Sequence, residues 1–313
     1  MKGGNSVTDI VISEFMDAPA IDWLRRDFAV TYDPTLVSDA ARLGAACQAA
    51  RALIVRNRTQ VTPTLLQAAP HLRAVGRLGV GLDNIDLDAC KARDVAVFPA
   101  TGGNTVSVAE YVITAVLMLR RRAWLGSAEV LDGQWPRERM MGLEVSGATL
   151  GLVGFGAIAQ AVATRAQALG MKIAAHDPFL PEGHPAWDGV TRCTTLEAVL
   201  ECADALSLHV PLTDQTRNLM DAARLARMKP GAVLVNTARG GIVDEAALAS
   251  ALSSGHIAGA ALDVFEAEPL PSGTALQAAP GLIATPHIAG VTVESNTRIS
   301  WITAENVAKH LAA

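Results

Sequence analysis

The sequence predicts an α/β protein made of two doubly wound parallel sheets, with one domain inserted in the other. Three observations carry that prediction. Apolar runs of strand length alternate with helical segments from Asp9 to Leu311, the pattern of parallel strands joined by helical crossovers. Ala, Val, Leu and Gly dominate a chain that is 50% hydrophobic and 4% aromatic, which suits sheets covered by helices on both faces. Two long helices, 104–122 and 294–311, supply the two crossings that a discontinuous domain requires. A length of 313 residues is enough for two cores. The expected boundaries are 1–101 for the first part of the outer domain, 102–287 for the inserted domain and 288–313 for a C-terminal return helix.

The elements follow in order. Asp9–Ser13 is a strand, Ile21–Asp27 a helix, and Ala29–Tyr32 a strand closed by Asp33-Pro34. Asp39–Ala50 is an alanine-rich helix; Ala52–Val55 is a wholly apolar strand that runs into Arg56-Asn57-Arg58. Thr62 and Pro63 supply an N-cap and a first helical residue for a helix through Ala69. Leu72–Arg77 is a strand ending at Leu78-Gly79-Val80-Gly81, Asp86–Arg93 a helix, and Val95–Phe98 a strand stopped at Pro99. Asn104–Arg122 is one long helix with an apolar face through Val112, Val116 and Leu119. Trp124–Glu144 lacks periodicity and reads as loop with some helix. The strand Thr149–Val153 opens the inserted sheet; a helix Ile158–Leu169 ends at Gly170, a suitable C-cap, and Lys172–His176 is the next strand. Helices 196–201, 222–228 and 245–252 then alternate with strands 205–210, 232–236, 258–263 and 282–284. Glu294–Leu311 is the final helix, expected to pack on the outer domain.

Composition excludes several functions. A formal net charge of −5, without a lysine-rich tail, argues against nucleic acid as a partner. The longest apolar run of interest, Tyr111–Leu119, is bounded by Glu110 and Arg120-Arg121-Arg122 and is too short to span a membrane. Met1-Lys2-Gly3-Gly4-Asn5 does not read as a signal peptide. Cys47, Cys90, Cys193 and Cys202 form no C-x-x-C pair and sit beside no histidine cluster, so free thiols in a reducing cytoplasm are expected, and no metal site.

The stretch Leu152-Val153-Gly154-Phe155-Gly156-Ala157-Ile158-Ala159 lies between a strand and a helix. Gly154 permits a tight turn, Gly156 lets a pyrophosphate approach the backbone, and the small Ala159 lets helix and strand pack closely. Asp177, at the end of the next strand, suits a ribose 2′-hydroxyl, and its followers Pro178 and Phe179 provide no arginine for a 2′-phosphate. NAD is therefore the expected cofactor, ahead of NADP. The competing reading is a tight turn in an α/β protein that binds no nucleotide.

Charged residues appear just beyond three later strands, on the side where open α/β sheets bind ligands. Arg239 follows Val235-Asn236-Thr237-Ala238, placed to grip a carboxylate through two parallel hydrogen bonds, with an ion pair to Asp244 as the bland reading. Asp263, Glu266 and Glu268 follow the next strand, and spacing does not choose between the two glutamates. His287 lies between Pro286 and a turn containing Gly290; paired with a carboxylate it would serve as a general acid/base. His176 and His209 also end strands and read as backbone contacts lining a nucleotide cleft. Arg, Glu and His at successive strand ends of a nucleotide-binding domain point to hydride transfer to a 2-oxo acid. Gly79-Val80-Gly81 offers backbone N–H groups to the same carboxylate.

These residues, with Asp83-Asn84-Ile85-Asp86, Asn104-Thr105-Val106-Ser107-Val108-Ala109-Glu110, His209-Val210-Pro211 and Glu268-Pro269, resemble the D-isomer-specific 2-hydroxyacid dehydrogenases over nearly the whole chain. The resemblance implies a Rossmann domain that binds NAD, inserted in a flavodoxin-like substrate domain. It implies an Arg239, Glu268 and His287 triad, choosing Glu268 over Glu266. It implies cofactor contacts from Val80, Gly154, Gly156, Ala157, Ile158, Asp177, Val210, Thr237, Ala238 and Asp263, the last to the nicotinamide carboxamide. Substrate contacts fall to Arg56, Gly79, Val80, Gly81 and Arg239. It also implies a homodimer with the Asn104 helix in the interface, and a chain without the extra regulatory domain of some phosphoglycerate dehydrogenases.

In phosphoglycerate dehydrogenases the arginine matching Arg56 meets the substrate phosphate; here Arg58 adds a second charge and Arg77 a third. A substrate with a second anionic group is expected. The segments 11–17 and 299–302 are similar to those of the subgroup that oxidises sulfolactate to sulfopyruvate. The alternatives are phosphoglycerate oxidation, hydroxypyruvate or glyoxylate reduction, and, outside catalysis, an NAD-sensing corepressor-like protein.

Overall fold

The computed structural model describes residues 8–313; Met1 to Asn5, read above as lacking a signal peptide, lie outside the described residues. In chain order the strands are β1 Ile10–Ile12, β2 Val30–Tyr32, β3 Ala52–Val55, β4 Ala74–Arg77, β5 Ala96–Pro99, β6 Thr149–Val153, β7 Lys172–His176, β8 Thr191–Arg192, β9 Ala205–Leu208, β10 Ala232–Asn236, β11 Ile257–Leu262 and β12 Leu282–Ala284. The α-helices are α1 Ala18–Leu24, α2 Ala40–Cys47, α3 Pro63–Ala68, α4 Leu87–Ala92, α5 Thr105–Arg121, α6 Ser127–Leu131, α7 Ala157–Ala168, α8 Leu196–Cys202, α9 Ala222–Arg227, α10 Glu245–Ser253 and α11 Val293–Ala312. The chain separates into two compact units, Met1–Asn104 with Val291–Ala313, and Thr105–Gly290.

The first unit is a five-stranded sheet in the order β2-β1-β3-β4-β5, all neighbours parallel. That is the flavodoxin-like order. One face is covered by α1 and α11, through Ile21, Leu24, Ile299, Ala304 and Val307; the other buries Leu43, Leu53, Leu66 and Val75. Local signals set the helix starts. Asp39 accepts a hydrogen bond from Arg42 N at 3.0 Å and Thr62 one from Leu65 N at 3.3 Å, each satisfying a donor that the first helical turn leaves over. Val55 pairs with Arg77 across β3 and β4, so the loops 56–59 and 78–81 leave the sheet side by side.

The second unit is a seven-stranded parallel sheet, β12-β11-β10-β9-β6-β7-β8. Strand order reverses at β6, so the β6/β9 boundary is the switch point where ligands bind. On one face α5 and α7 bury Val112, Val116, Leu119, Val162 and Ala166 against Leu150, Leu152 and Val235; on the other Val199, Leu225, Leu248 and Leu252 cover Leu206, Leu234 and Leu262. Because all seven strands are parallel, the turns after β6, β9, β10, β11 and β12 share one edge of the sheet.

Two parallel sheets, as the alternation of apolar runs predicts, are therefore what the chain builds. The differences are local. The first helix covers 18–24 where 21–27 is expected, because Pro19 occupies the first turn and Asp17 precedes it with extended backbone. The strand after α8 stops at Leu208, two residues early, as the backbone turns into the nucleotide side. Edge strand β8 has no counterpart in the sequence reading: its two residues are exposed and carry no apolar pattern.

Candidate active site

The turn after β6 is built by Gly154. Its φ is +85°, and a Cβ there would lie 2.6 Å from His209 O, just past the end of neighbouring β9, so backbone conformation and packing both require glycine. Gly156 differs. Its backbone is extended and it precedes α7 as N-cap without any side-chain hydrogen bond. A Cβ there would meet nothing within 4 Å. The space beside Gly156, in front of the first N–H groups of a twelve-residue helix, suits an anion such as a pyrophosphate. Ala157 and Ile158 are the first two residues of that helix, and Ala159 is fully buried.

Asp177 holds this turn. Its Oδ2 accepts from Phe155 N at 2.8 Å; Oδ1 accepts from Phe179 N at 2.8 Å and Leu180 N at 3.2 Å. A carboxylate offers about four lone-pair positions, so a ribose hydroxyl has an acceptor left. His209 contacts Ser207 Oγ through Nε2 at 2.9 Å, and burial pushes it down to about 4, which keeps it neutral near pH 7. His176 Nδ1 meets Cys193 O at 3.0 Å. Val210, after β9, packs on the same core as Ala238.

Beyond β10, Asn236 shapes the turn that carries Arg239. Its Oδ1 accepts from Ala238 N at 3.0 Å and its Nδ2 donates to Arg239 O at 2.9 Å, with the side chain 1% exposed. Arg239 Nη1 donates to Ala238 O at 2.5 Å. Between them, the Thr237 hydroxyl is buried and bonds to no described residue. An unsatisfied buried hydroxyl costs on the order of 1–3 kcal/mol, and a bound cofactor would supply its partner. A Cβ on Gly240 would sit 1.7 Å from Phe265 O, so the Arg239 turn lies directly on the segment leading to Glu268. Asp244, the competing partner for Arg239, caps α10 by accepting from Ala247 N at 2.9 Å.

The turns after β11 and β12 form one hydrogen-bonded unit. Glu268 Oε2 lies 2.8 Å from His287 Nδ1, and Oε1 accepts from Phe265 N at 3.1 Å. Both glutamates are exposed, and of the two it is Glu268 that meets His287, where spacing did not choose. The carboxylate accepts only, so Nδ1 carries a proton and Nε2 is left as the nitrogen that can exchange one. His287 has φ +56°, a left-handed conformation that non-glycine residues rarely hold. Its surroundings enforce it: His287 N donates to Asp263 O at 2.9 Å and to Thr285 O at 3.0 Å. The Asp263 carboxylate, 1% exposed, accepts from Thr285 Oγ1, Ile288 N and Ala289 N at 2.6–2.8 Å. Since Thr285 gives its proton to Asp263, it accepts from Tyr111 Oη, 2.5 Å away on α5. Asn236, Thr285 and Tyr111 carry no role in the sequence reading. Asn236 had a signal there, a polar residue closing an otherwise apolar strand; Tyr111 had none.

The first unit holds the remaining candidates. Arg56 N and Thr59 N donate to Glu14 Oε1 at 2.8 and 2.9 Å, and Arg58 N to Oε2 at 3.2 Å; Glu14 is 6% exposed. The Arg56 side chain is half-buried and Nη2 donates to Asn296 Oδ1 at 2.8 Å, while Arg58 is exposed. Val80 and Gly81 N donate to no described residue and remain available to an anion. Arg77 departs from expectation. It is 9% exposed, its Nη1 donates to Leu78 O at 2.6 Å, and it fills the space that a Gly79 side chain would need, 2.1 Å from that Cβ position. Arg77, expected as a third charge near Arg56, is buried and supports the Gly79 loop, whose φ at Gly79 is +149°. All four cysteines are free, with Cys47 pushed up to about 12 by burial. No described helix is long and apolar enough to cross a membrane.

Comparison with known proteins agrees with this geometry. The family model for the D-isomer specific 2-hydroxyacid dehydrogenase, NAD binding domain, matches residues 113–289. The chain is 61% identical over 305 residues to an (S)-sulfolactate dehydrogenase of Chromohalobacter salexigens, covering 97% of this chain and 99% of that one. It is 37% identical over 298 residues to a D-3-phosphoglycerate dehydrogenase of Archaeoglobus fulgidus, covering 95% of this chain and 56% of that one. Among solved structures, the TT0316 protein of Thermus thermophilus superposes with a TM-score of 0.88 at 36% identity, over 97% of both chains. With a parallel-sheet fold, a glycine turn open to a dinucleotide and these matches, the chain belongs to the D-isomer specific 2-hydroxyacid dehydrogenase family, an NAD-dependent oxidoreductase of small 2-hydroxy acids.

Proposed function

We propose that this protein interconverts (S)-sulfolactate and sulfopyruvate with NAD. The observation that carries the reading is the 61% identity, end to end, with the Chromohalobacter (S)-sulfolactate dehydrogenase. The (S) label agrees with a D-specific family. In sulfolactate the sulfur-bearing carbon outranks the carboxylate, so the spatial arrangement of a D-2-hydroxy acid is named S.

Arg239 grips the substrate carboxylate; on the other unit, the N–H groups of Val80 and Gly81, on the loop that Gly79 shapes, are donors for an anion. His287 Nε2 takes the hydroxyl proton in oxidation and returns it in reduction. Glu268 holds the ring by Nδ1 and stabilises its charged form. NAD, when bound, would supply the hydride acceptor and donor for this exchange. Gly154, Gly156, Ala157 and Ile158 would hold the pyrophosphate and Asp177 the ribose. Val80, Val210, Thr237, Ala238 and Asp263 line the rest, Asp263 with the acceptor position that its loop leaves free. Arg56 reads the sulfonate, with Arg58 adding long-range attraction.

The second reading is oxidation of 3-phosphoglycerate, favoured by the Archaeoglobus relative; Arg56 would then meet a phosphate. NADH consumption with sulfopyruvate, phosphohydroxypyruvate, hydroxypyruvate, glyoxylate and pyruvate separates the two. The highest kcat/KM is expected with sulfopyruvate, and a higher value with phosphohydroxypyruvate refutes the first reading. Tight NADH binding without turnover of any would point instead to a sensor. Arg56→Ala should cost sulfopyruvate turnover; unchanged activity would remove Arg56 from the site.

The protein is further proposed to act as a cytoplasmic homodimer. Leu131, Trp135 and Met141 are 86%, 79% and 76% exposed on the segment after α5, an apolar surface of the kind that interfaces cover. Four free thiols suit a reducing compartment. A monomeric mass by light scattering at micromolar concentration would refute the dimer.

A further inference from the structure

Arg56 is a half-buried guanidinium with a single side-chain partner among the described residues, Asn296 Oδ1. A guanidinium carries five N–H donors; the others have no described protein acceptor. The carboxylate of Glu14 is spent on the N–H groups of Arg56, Arg58 and Thr59, so it braces the loop from below and does not pair with the guanidinium. Burial works against the Arg56 charge, and the nearby Glu14 charge works for it. An arriving anion would add to that support.

Asn296 lies in the first turn of α11, beside the N-cap Thr292 and buried Ser295. Arginine only donates, so the amide must turn its oxygen toward Arg56, which leaves Nδ2 with two donors and no described acceptor. A neutral acceptor here has a particular consequence. It fixes the guanidinium plane without neutralising it, where a carboxylate would consume the charge in an ion pair.

We propose that Asn296 is a specificity-determining residue. It holds Arg56 in one orientation, leaves its charge for the sulfonate, and adds its own Nδ2 as a second donor to that group. This rests on the sulfolactate reading given above.

The test is steady-state reduction of sulfopyruvate and of hydroxypyruvate, whose tail is uncharged, by wild type, Asn296→Asp and Asn296→Ala, with NADH affinity measured alongside. Asn296→Asp should raise KM for sulfopyruvate at least about tenfold, the scale of losing a charge-assisted contact. Its kcat/KM for hydroxypyruvate and its NADH affinity should stay within about twofold. Asn296→Ala, which frees Arg56 without neutralising it, should fall between, at about threefold. Equal losses on both substrates in the two variants mean that Asn296 only supports α11, and unchanged KM in both means that it touches nothing relevant; either overturns the proposal. A wild-type enzyme without preference for sulfopyruvate over hydroxypyruvate refutes the sulfolactate reading itself, and is visible before any variant is made.

Discussion

Gly154→Ala and Gly156→Ala place the same methyl group two residues apart, with opposite expected effects. At Gly156 the backbone is extended, and a Cβ meets no atom within 4 Å. Alanine there should leave stability unchanged or raise it by about 0.4–1 kcal/mol, because it narrows the unfolded ensemble. The same methyl stands where a pyrophosphate would approach the helix, so NADH affinity should fall at least about tenfold, ~1.4 kcal/mol. At Gly154 a left-handed φ of +85° and a contact of 2.6 Å to the His209 carbonyl act together. The conformation alone costs about 1–2 kcal/mol, and the carbonyl directly follows the central strand β9, with His209 N tied to Val153 O. The melting temperature should drop by at least roughly 2–8 °C, at about 2–4 °C per kcal/mol for a domain of this size. Thermal melts without ligand and NADH fluorescence titrations measure both quantities. If Gly156→Ala melts well below wild type, the space beside Gly156 is not open in the protein. If it melts normally and binds NADH as wild type does, the turn is not the pyrophosphate site.

The remaining predictions concern chemistry and pH. His287→Ala should lower kcat by about 10²–10⁴-fold, the usual range for a general acid/base, while NADH affinity is kept; Arg239→Ala should act mainly on KM for the 2-oxo acid. Losses confined to NADH binding in both variants would contradict these roles. Thr285→Val cuts the chain from Tyr111 to Asp263 and loosens the loop that holds His287. A fall in kcat of about three- to tenfold is expected, equivalent to one hydrogen bond of ~1 kcal/mol, with substrate KM little changed; an unaltered kcat would show that the remaining bonds to Asp263 suffice. His209 is held down to about 4 by burial, whereas the unfolded chain takes up that proton near the usual histidine value of about 6.5. Its contribution to stability is therefore complete above pH ~6.5 and is lost as pH falls toward 4, by at most about 3 kcal/mol. Denaturation at pH 7.5 and 4.5 should show a smaller difference in His209→Gln than in wild type; equal differences would refute the assignment.

The fold was legible because its central strands are buried on both faces. Ala52–Val55 and Ala232–Asn236 are buried throughout, and they stand out in the sequence as continuous apolar runs between glycine, proline and charged residues. Helix starts were legible where a side chain caps, as at Thr62 and Asp39. The edge strand β8 was not, because two exposed residues pairing with one neighbour leave no periodic trace. Its existence depends on β7 already being in place.

Legibility of the site divides along a similar line. Arg239 and His287 stand out by residue type and position, since each follows a strand on the ligand side of a parallel sheet; their roles remain proposals. The choice between Glu266 and Glu268 was not contained in spacing: both are exposed loop residues, and only the approach of His287, 19 positions later, distinguishes them. Arg77 shows the opposite error. A positive charge at a strand end reads as ligand-binding, but a glycine two residues on leaves a space, and the guanidinium folds back into it. The residues that hold Arg56 had no local signal at all. Glu14 is 42 positions before it and Asn296 is 240 after it. What sequence reading reaches, then, are the groups that act on a ligand through their own chemistry. What it misses are the neutral or buried partners that decide where those groups point, as Glu14 and Asn296 do at Arg56.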